Sequence, residues 1–267
     1  MKRIHLFEFE DFTWFPDIIR KGITDYIQFL ANSGNIYTRI IPLIKKGIEK
    51  SSTGRIIDIC SGVGGGFQKI NEQLKHENVQ TQIILTDKYP NIPAFVHTQK
   101  MSNNVEFVES SVDATRIPSW LGGFRTQFVS FHHFRPEQAK RILADAANKN
   151  EPIGIFEYTE RSLSNFLGCL MAPLFVMLLT PFIRPLSFKK LFFTYIIPAI
   201  PFFTMWDGIV SILRTYSVKE MKAMTESLAR DGYEWEVGRV TARGPFNVLY
   251  LMGYPVLSNS GQRVAAA

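Results

Sequence analysis

The sequence predicts an α/β protein wound on both sides of a mostly parallel sheet. Three observations carry that prediction. Between residues 55 and 160 short apolar runs alternate with helical stretches, a pattern that right-handed βαβ crossovers produce. The first of these runs, "RIIDIC", gives way to four glycines within Gly62 to Gly66. After one capped helix, two more strand-like runs close the chain. At 267 residues, 46% hydrophobic and 20% charged, the chain has enough apolar material for a sizeable core.

The elements follow in order. Residues 1 to 15 are aromatic and acidic without a clear period. In "PDIIRKGITDYIQFLA", Ile18/Ile19, Ile23, Tyr26/Ile27 and Leu30 recur at helical spacing. "NSGN" breaks that helix, and a second runs from about Tyr37 to Lys50, with Ile40, Ile41 and Ile44 inward. "RIIDIC" is the first strand, and a helix starts at Gly66 and reaches about His76. "QIILTD", "VEFVES" and "TQFVSF" are strands two to four, a helix spans Pro136 to about Asn148, and "PIGIFEY" is the fifth strand. Residues 162 to 206 break the rhythm with a segment rich in Phe, Leu and Pro. "SVKEMKAMTESLARDG" is a helix with a capping box, Ser217 three before Glu220, and Gly232 as its stop. "YEWEVGRV" and "NVLYLMGYP", joined by "TARGPF", are the last two strands. One domain, 1–257, therefore comprises a helical cap (1–50), a sheet core (51–160), an apolar insertion (161–215) and the closing helix and strand pair (216–257); residues 258–267 form a frayed tail.

Composition narrows the function. The net charge is +6, but no basic run exceeds two residues, so nucleic acid is not an expected partner. Cys60 and Cys169, the only cysteines, make neither a disulfide framework nor a zinc pattern, which points to a reducing compartment. "MKRIHLFEFEDF" has acids where a signal peptide needs an apolar core, so a cytoplasmic protein is expected. No residue between Arg161 and Arg184 is charged, and none is from Leu191 to Trp206. Pro173, Pro181, Pro198 and Pro201 interrupt these runs, and a spanning hairpin would carry Arg184, Lys189 and Lys190 outward, against the positive-inside bias. The segment is therefore read as non-spanning. It is a lid over a lipophilic substrate, a patch that dips into the inner membrane face or a partner, or a buried insertion that enlarges the core. In "WDGIVSILRTYS" that follows, Asp207 and Arg214 form either a salt-bridged brace or substrate contacts.

The glycines mark the ligand. In an open parallel sheet, ligands lie beyond the carboxyl ends of the strands, where Gly62, Gly64 and Gly66 let the main chain approach closely. A G-x-G-x-x-G dinucleotide loop fails, because Phe67 or Lys69 stands in its final place. What fits is D-x-x-x-G-x-G-x-G: Asp58, Gly62, Gly64, Gly66. Two more acids follow strand ends, Asp87 after "QIILT" and Asp113 in "SSVDATRIP". The arrangement resembles the first motifs of class I S-adenosylmethionine-dependent methyltransferases, over roughly residues 50 to 160, and the closing helix and strand pair fit the same family.

The resemblance implies a Rossmann-like, doubly wound, seven-stranded sheet with an antiparallel last strand. It implies S-adenosyl-L-methionine as cofactor, held at Asp58, Cys60, Ser61, Gly62 and Gly64, at Asp87 and Lys88, and at Asp113 and Ala114. In the family's pattern Asp58 meets the methionine ammonium, Asp87 the ribose hydroxyls and Asp113 the adenine amino group. Cys60 also reads as an apolar filler beside the loop. "FVSFHHFRP" is similar to an aromatic-histidine run in methyltransferases of the quinone-biosynthesis type, which implies Phe131 against the cofactor and His132 or His133 facing the substrate. A core histidine and a helix-capping one is the alternative. Methyl transfer needs nucleophile, carbon and sulfur in line, and a base only if the acceptor arrives protonated. His132, His133 and Glu157 are the catalytic candidates, with Tyr158 and Asp207 beside them. In "FEFEDFTWF", Trp14 and Phe15 either cover the sulfonium or join the core. The expected activity is methylation of a small or lipophilic acceptor. Its rivals are a catalytically silent binding relative that serves assembly, and a nicotinamide oxidoreductase.

Overall fold

The computed structural model describes residues 2–33, 36, 38–62, 67–241 and 247–256. Residues 2–16 form an extended strap with one 3₁₀ turn, Phe9–Asp11. Then come α1 (Asp17–Ser33), α2 (Ile41–Glu49), β1 (Ile56–Ile59), α3 (Phe67–His76), β2 (Ile83–Thr86), α4 (Ile92–Met101), β3 (Val105–Phe107), β4 (Phe124–Phe128), α5 (Pro136–Asn148) and β5 (Ile153–Glu157). The insertion folds as α6 (Leu163–Leu170), α7 (Ala172–Leu179), α8 (Phe188–Leu191), which runs into one π turn, and α9 (Ala199–Arg214). The chain closes with α10 (Val218–Glu226), β6 (Tyr233–Thr241) and β7 (Asn247–Pro255).

The seven strands lie in the order β3-β2-β1-β4-β5-β7-β6. β1 pairs in parallel with β2 and β4, placing Ile56 opposite Ile83 and Phe124. β7 enters antiparallel between β5 and β6. The expected doubly wound, seven-stranded sheet with an antiparallel last strand is thus the fold observed. Strand side chains alternate between two cores, as a period of two requires. Ile56 and Phe124 pack with Ile44, Leu74 and Phe95 from α2, α3 and α4. Ile57 and Ile59 pack with Ile142 and Met221 from α5 and α10. A third core joins Phe15, Ile19 and Ile23 to Val176, Ile183 and Ile200. The insertion therefore docks on the helical cap, and the two form one additional layer.

Most expected elements stand within two residues of their places. α2 begins at Ile41, after a 3₁₀ turn at Thr38–Ile40, rather than at Tyr37, and β3 stops at Phe107, short of "VES". Three further points differ. α4 has no counterpart in the sequence reading: Phe95 is its one buried side chain, so no amphipathic stripe reveals it. β4 begins at Phe124, two residues before "TQFVSF", and ends sooner, because Val129 turns at φ 47°. α10 stops at Glu226, well before Gly232, which instead turns the chain into β6 at φ 76°. Gly64, Gly66, most of the "TARGPF" connection and the frayed tail lie outside the described residues.

Candidate functional site

The strands β1 and β4 both end in residues with left-handed backbone, Cys60 at φ 66° and Val129 at φ 47°. Neither is glycine, and such conformations persist where the surroundings enforce them. They turn the chain away from the sheet at neighbouring strand ends and open a cavity of about 210 Å³. Asp58, Cys60, Ser61, Phe128 and Val129 line its sheet side. The strap and α1 line the other side with Glu8, Glu10, Thr24 and Ile27.

Ser61 and Asp87 hold the turn that follows β1. Ser61 ties the tips of β1 and β2: its amide donates to the Thr86 carbonyl at 3.0 Å, its hydroxyl donates to the Asp58 carbonyl at 2.9 Å and accepts from the Thr86 amide at 3.1 Å. Asp87 accepts from the Gly62 amide (2.9 Å) and the Tyr89 amide (2.8 Å), one on each oxygen. The second acid thus braces the turn carrying the first glycine, a link that spacing alone does not reveal. Asp58 is buried and accepts from the Thr126 hydroxyl at 3.0 Å. Burial pushes its carboxyl up to about 7, against the hydrogen bonds of Ser61 and Thr126, and Asp87 adds to the rise. Asp113 accepts from the Thr115 amide and hydroxyl and pairs with Lys88 at 3.1 Å. These contacts overcome its partial burial and hold it down at about 2. Ala114 is buried beside it.

The histidines lie in the 3₁₀ turn Phe131–His133 that follows β4. Glu157, the last residue of β5, accepts from the His132 amide (3.1 Å) and faces its Nδ1 (2.9 Å). His132 is 1% exposed, and its Nε2 has no hydrogen-bond partner among the described residues. The His133 ring lies 4.4 Å from that of His132. Its Nδ1 is 3.1 Å from Asp11 and 3.2 Å from Arg214 Nη1. Burial opposes its charge, but Glu8 and Asp11 raise it above the ordinary histidine value. Both imidazoles and Tyr158 line the cavity. Phe131 is wholly buried, its ring 5.4 Å from that of Tyr216.

The strap closes this end of the cavity because α9 grips it along its length. The Ile4 amide donates to the Leu213 carbonyl, Arg214 Nε to the Leu6 carbonyl, and Trp206 Nε1 to the Phe7 carbonyl. Asp207 accepts from the Phe9 (2.8 Å) and Glu10 (3.2 Å) amides. Arg214 pairs with Glu8 (3.2 Å) and Asp11 (2.6 Å). Asp207 and Arg214 are therefore braces, yet each holds the strap rather than the other. Burial raises Asp207 to about 6 and, with Asp207 and Glu8 nearby, Glu10 to about 8. Phe15 joins the third core, whereas Trp14 lies exposed on the surface. Sequence reasoning missed Glu8, Glu10 and Asp11 as site residues. They lie some 120 residues from the histidines, and only the unusual acid-aromatic alternation of "FEFEDF" marks them.

No family model and no curated protein matches the sequence. Solved structures match its shape. The plantazolicin methyltransferase BpumL in complex with SAH matches over 91% of this chain and 93% of its own, with TM-score 0.52 at 13% identity. The pyocyanin biosynthetic protein PhzM matches over 92% of this chain and 62% of its own, with TM-score 0.51 at 13% identity. A Rhodobacter sphaeroides protein provisionally assigned to the Zn-dependent alcohol dehydrogenases matches over 88% and 98%, with TM-score 0.51 at 12% identity. At these identities the likeness is one of fold. The strand order and the antiparallel β7 are those of class I S-adenosylmethionine-dependent methyltransferases.

Proposed function

We propose that this chain, folded as class I S-adenosylmethionine-dependent methyltransferases are, moves a methyl group from S-adenosylmethionine to a lipophilic acceptor drawn from a membrane surface. The reading rests chiefly on Asp58. It is a buried carboxylate on the cavity wall whose hydrogen bonds come from hydroxyls rather than from a cation. A ligand ammonium supplies the missing positive partner. The cofactor would bring a methyl group already activated on a sulfonium. Asp87 has spent one lone pair of each oxygen on backbone amides and keeps others for two adjacent ribose hydroxyls. Lys88, which is exposed, would swing aside for Asp113 to reach an adenine amino group.

Acceptor chemistry belongs to the opposite wall. His132, Glu157, His133 and Tyr158 stand where the acceptor atom would meet the methyl group, and Phe67 and Phe128 give the cavity an apolar floor that limits water. Glu157 fixes the His132 ring through Nδ1, so Nε2 faces the acceptor side as the remaining donor or acceptor.

The insertion supports the membrane part of the reading. Among the described residues no single helix is long and apolar enough to cross a membrane; two bent helix pairs have the length and composition together. Phe188 is 84% exposed, Ile196 71% and Phe182 70%, in the same layer that roofs the cavity. Residues 162–206 contain no acid, and the exposed charges there, Arg184 and Lys189, are basic. An apolar surface with a basic edge suits an anionic membrane face, which would place the protein peripherally on the cytoplasmic side.

Calorimetry with S-adenosylhomocysteine and with NADH tests the cofactor. One-site binding of the first and none of the second is expected, and the reverse would make the chain a nicotinamide enzyme. Binding without turnover on any lipophilic acceptor would mark a silent relative. Cosedimentation with phosphatidylglycerol vesicles tests the membrane. The wild type should pellet more than Phe182→Asp or Phe188→Asp, and equal pelleting of all three removes the membrane from the reading.

A further inference from the structure

We propose that Glu8, His132 and His133 bind a divalent first-row transition-metal ion at the acceptor end of the cavity. The geometry carries this. His132 Nε2 lies 3.8 Å from Glu8 Oε1, and His133 Nε2 lies 3.6 Å from Glu8 Oε2. Both gaps exceed an N–H···O hydrogen bond, which spans roughly 2.7–3.2 Å. They match two ligands sharing one ion instead, since bonds of about 2.0–2.2 Å at tetrahedral or wider angles separate donor atoms by roughly 3.3–3.8 Å. One donor atom from each of the three residues lies within 4.8 Å of the others.

Second, the His132 tautomer agrees. A carboxylate accepts only, so the 2.9 Å contact from Glu157 puts the proton on His132 Nδ1 and leaves Nε2 a lone pair. That nitrogen is buried with no hydrogen-bond partner among the described residues, and it lies 3.8 Å from another acceptor, the Glu8 carboxylate. The His133 Nδ1 lies 3.1 Å from Asp11. Arg214 Nη1 lies 3.2 Å from the same nitrogen and competes with Asp11 for it, while its two amino groups also pair with Glu8 at 3.2 Å and Asp11 at 2.6 Å. Carboxylates behind metal-bound imidazoles are the usual outer partners.

Third, three carboxylates, Glu8, Asp11 and Glu157, converge on the two imidazoles, a setting that favours a bound cation. Two nitrogens and one oxygen favour zinc, iron, cobalt or manganese over calcium or magnesium. Three protein ligands leave an open position, and because all three residues line the cavity, an oxygen of the acceptor can fill it. The metal site depends on the methyl-transfer reading only for that last role.

The test uses full-length protein stripped with chelator and titrated with Zn²⁺ and, as a spectroscopic probe, Co²⁺. One equivalent at micromolar affinity or tighter is expected, with cobalt absorption in the visible. Glu8→Gln and His133→Ala should each weaken uptake at least tenfold. X-ray absorption of the zinc-loaded wild type should show nitrogen and oxygen neighbours with imidazole scattering, a readout that holds even if a variant fails to fold. No uptake at 1 mM metal, uptake unchanged in both variants, or a zinc shell without imidazole would each overturn the site. Homocysteine-product binding is measured separately on the metal-free protein, so loss of the cofactor reading and loss of the metal site give different results.

Discussion

At the scale of single residues, Asp58 is the group whose chemistry can be followed by pH. Its folded carboxyl titrates at about 7 because burial outweighs the hydroxyls of Ser61 and Thr126, whereas an unfolded one titrates near 3.8. The unfolded state therefore ionises first, and the free protein loses stability as pH rises from about 4 to about 7. Asp58→Asn should remove its share of that loss, seen as urea midpoints that fall less steeply across the window, the remaining fall coming from Asp207 and Glu10. Ligand binding should run the other way. Above about pH 7 the carboxylate is already charged for the ammonium, so S-adenosylhomocysteine affinity should climb toward that pH and then level. The Asn variant should bind weakly and without the climb. Asp87→Ala should weaken the same ligand by ~1–3 kcal/mol, the cost of unpaired polar groups, and unchanged affinity in calorimetry would remove Asp87 from the site. The position of Asp58 in β1 and of Asp87 and Asp113 beyond β2 and β3 was legible because apolar strands precede each loop in the order a parallel sheet requires. Cys60 and Val129 were not, since their left-handed turns carry no residue signature.

At the scale of elements, the strap and α9 act together although some 200 residues separate them. Arg214 is 3% exposed and joined to Glu8 and Asp11, so Arg214→Ala leaves the buried Glu8 carboxylate without its guanidinium. A loss of about 3–5 kcal/mol is expected in chemical unfolding, together with faster proteolysis within residues 2–16. A smaller loss with a protected strap would mean that the aromatic contacts of Phe9 with Phe203 and Trp206 hold it instead. The sheet has its own sensitive contact at Gly47 of α2. A Cβ there would meet the Phe124 ring at 2.4–2.5 Å. Gly47→Ala should cost ~1–3 kcal/mol through forced repacking, read as a lower melting temperature with cofactor sites intact. The helical period placed α1, α2 and α5 well in advance because one face of each is buried. It missed α4, which buries only Phe95 and presents no stripe.

At the scale of the whole molecule, two layers divide the work. The sheet and its helices set the geometry of the strand ends, while the strap, α1 and α9 cover the cavity and α6–α9 expose an apolar surface. Vesicle binding and the acceptor's lipophilicity should therefore be lost together when that surface is made polar, whereas S-adenosylhomocysteine affinity should stay within about twofold. Calorimetry beside cosedimentation separates the two, and a parallel loss of cofactor binding would show that the layers are not independent. The sequence by itself determined the strands of the parallel core and the acids near their carboxyl ends, because alternation, period and turn residues are local properties that each strand and loop displays in its own few residues. The tertiary structure alone decided which distant groups share the cavity. Glu8 meets His132, and Asp11 meets Arg214, only because the third core draws the cap and the insertion into one layer, and no local pattern records a contact made across the fold.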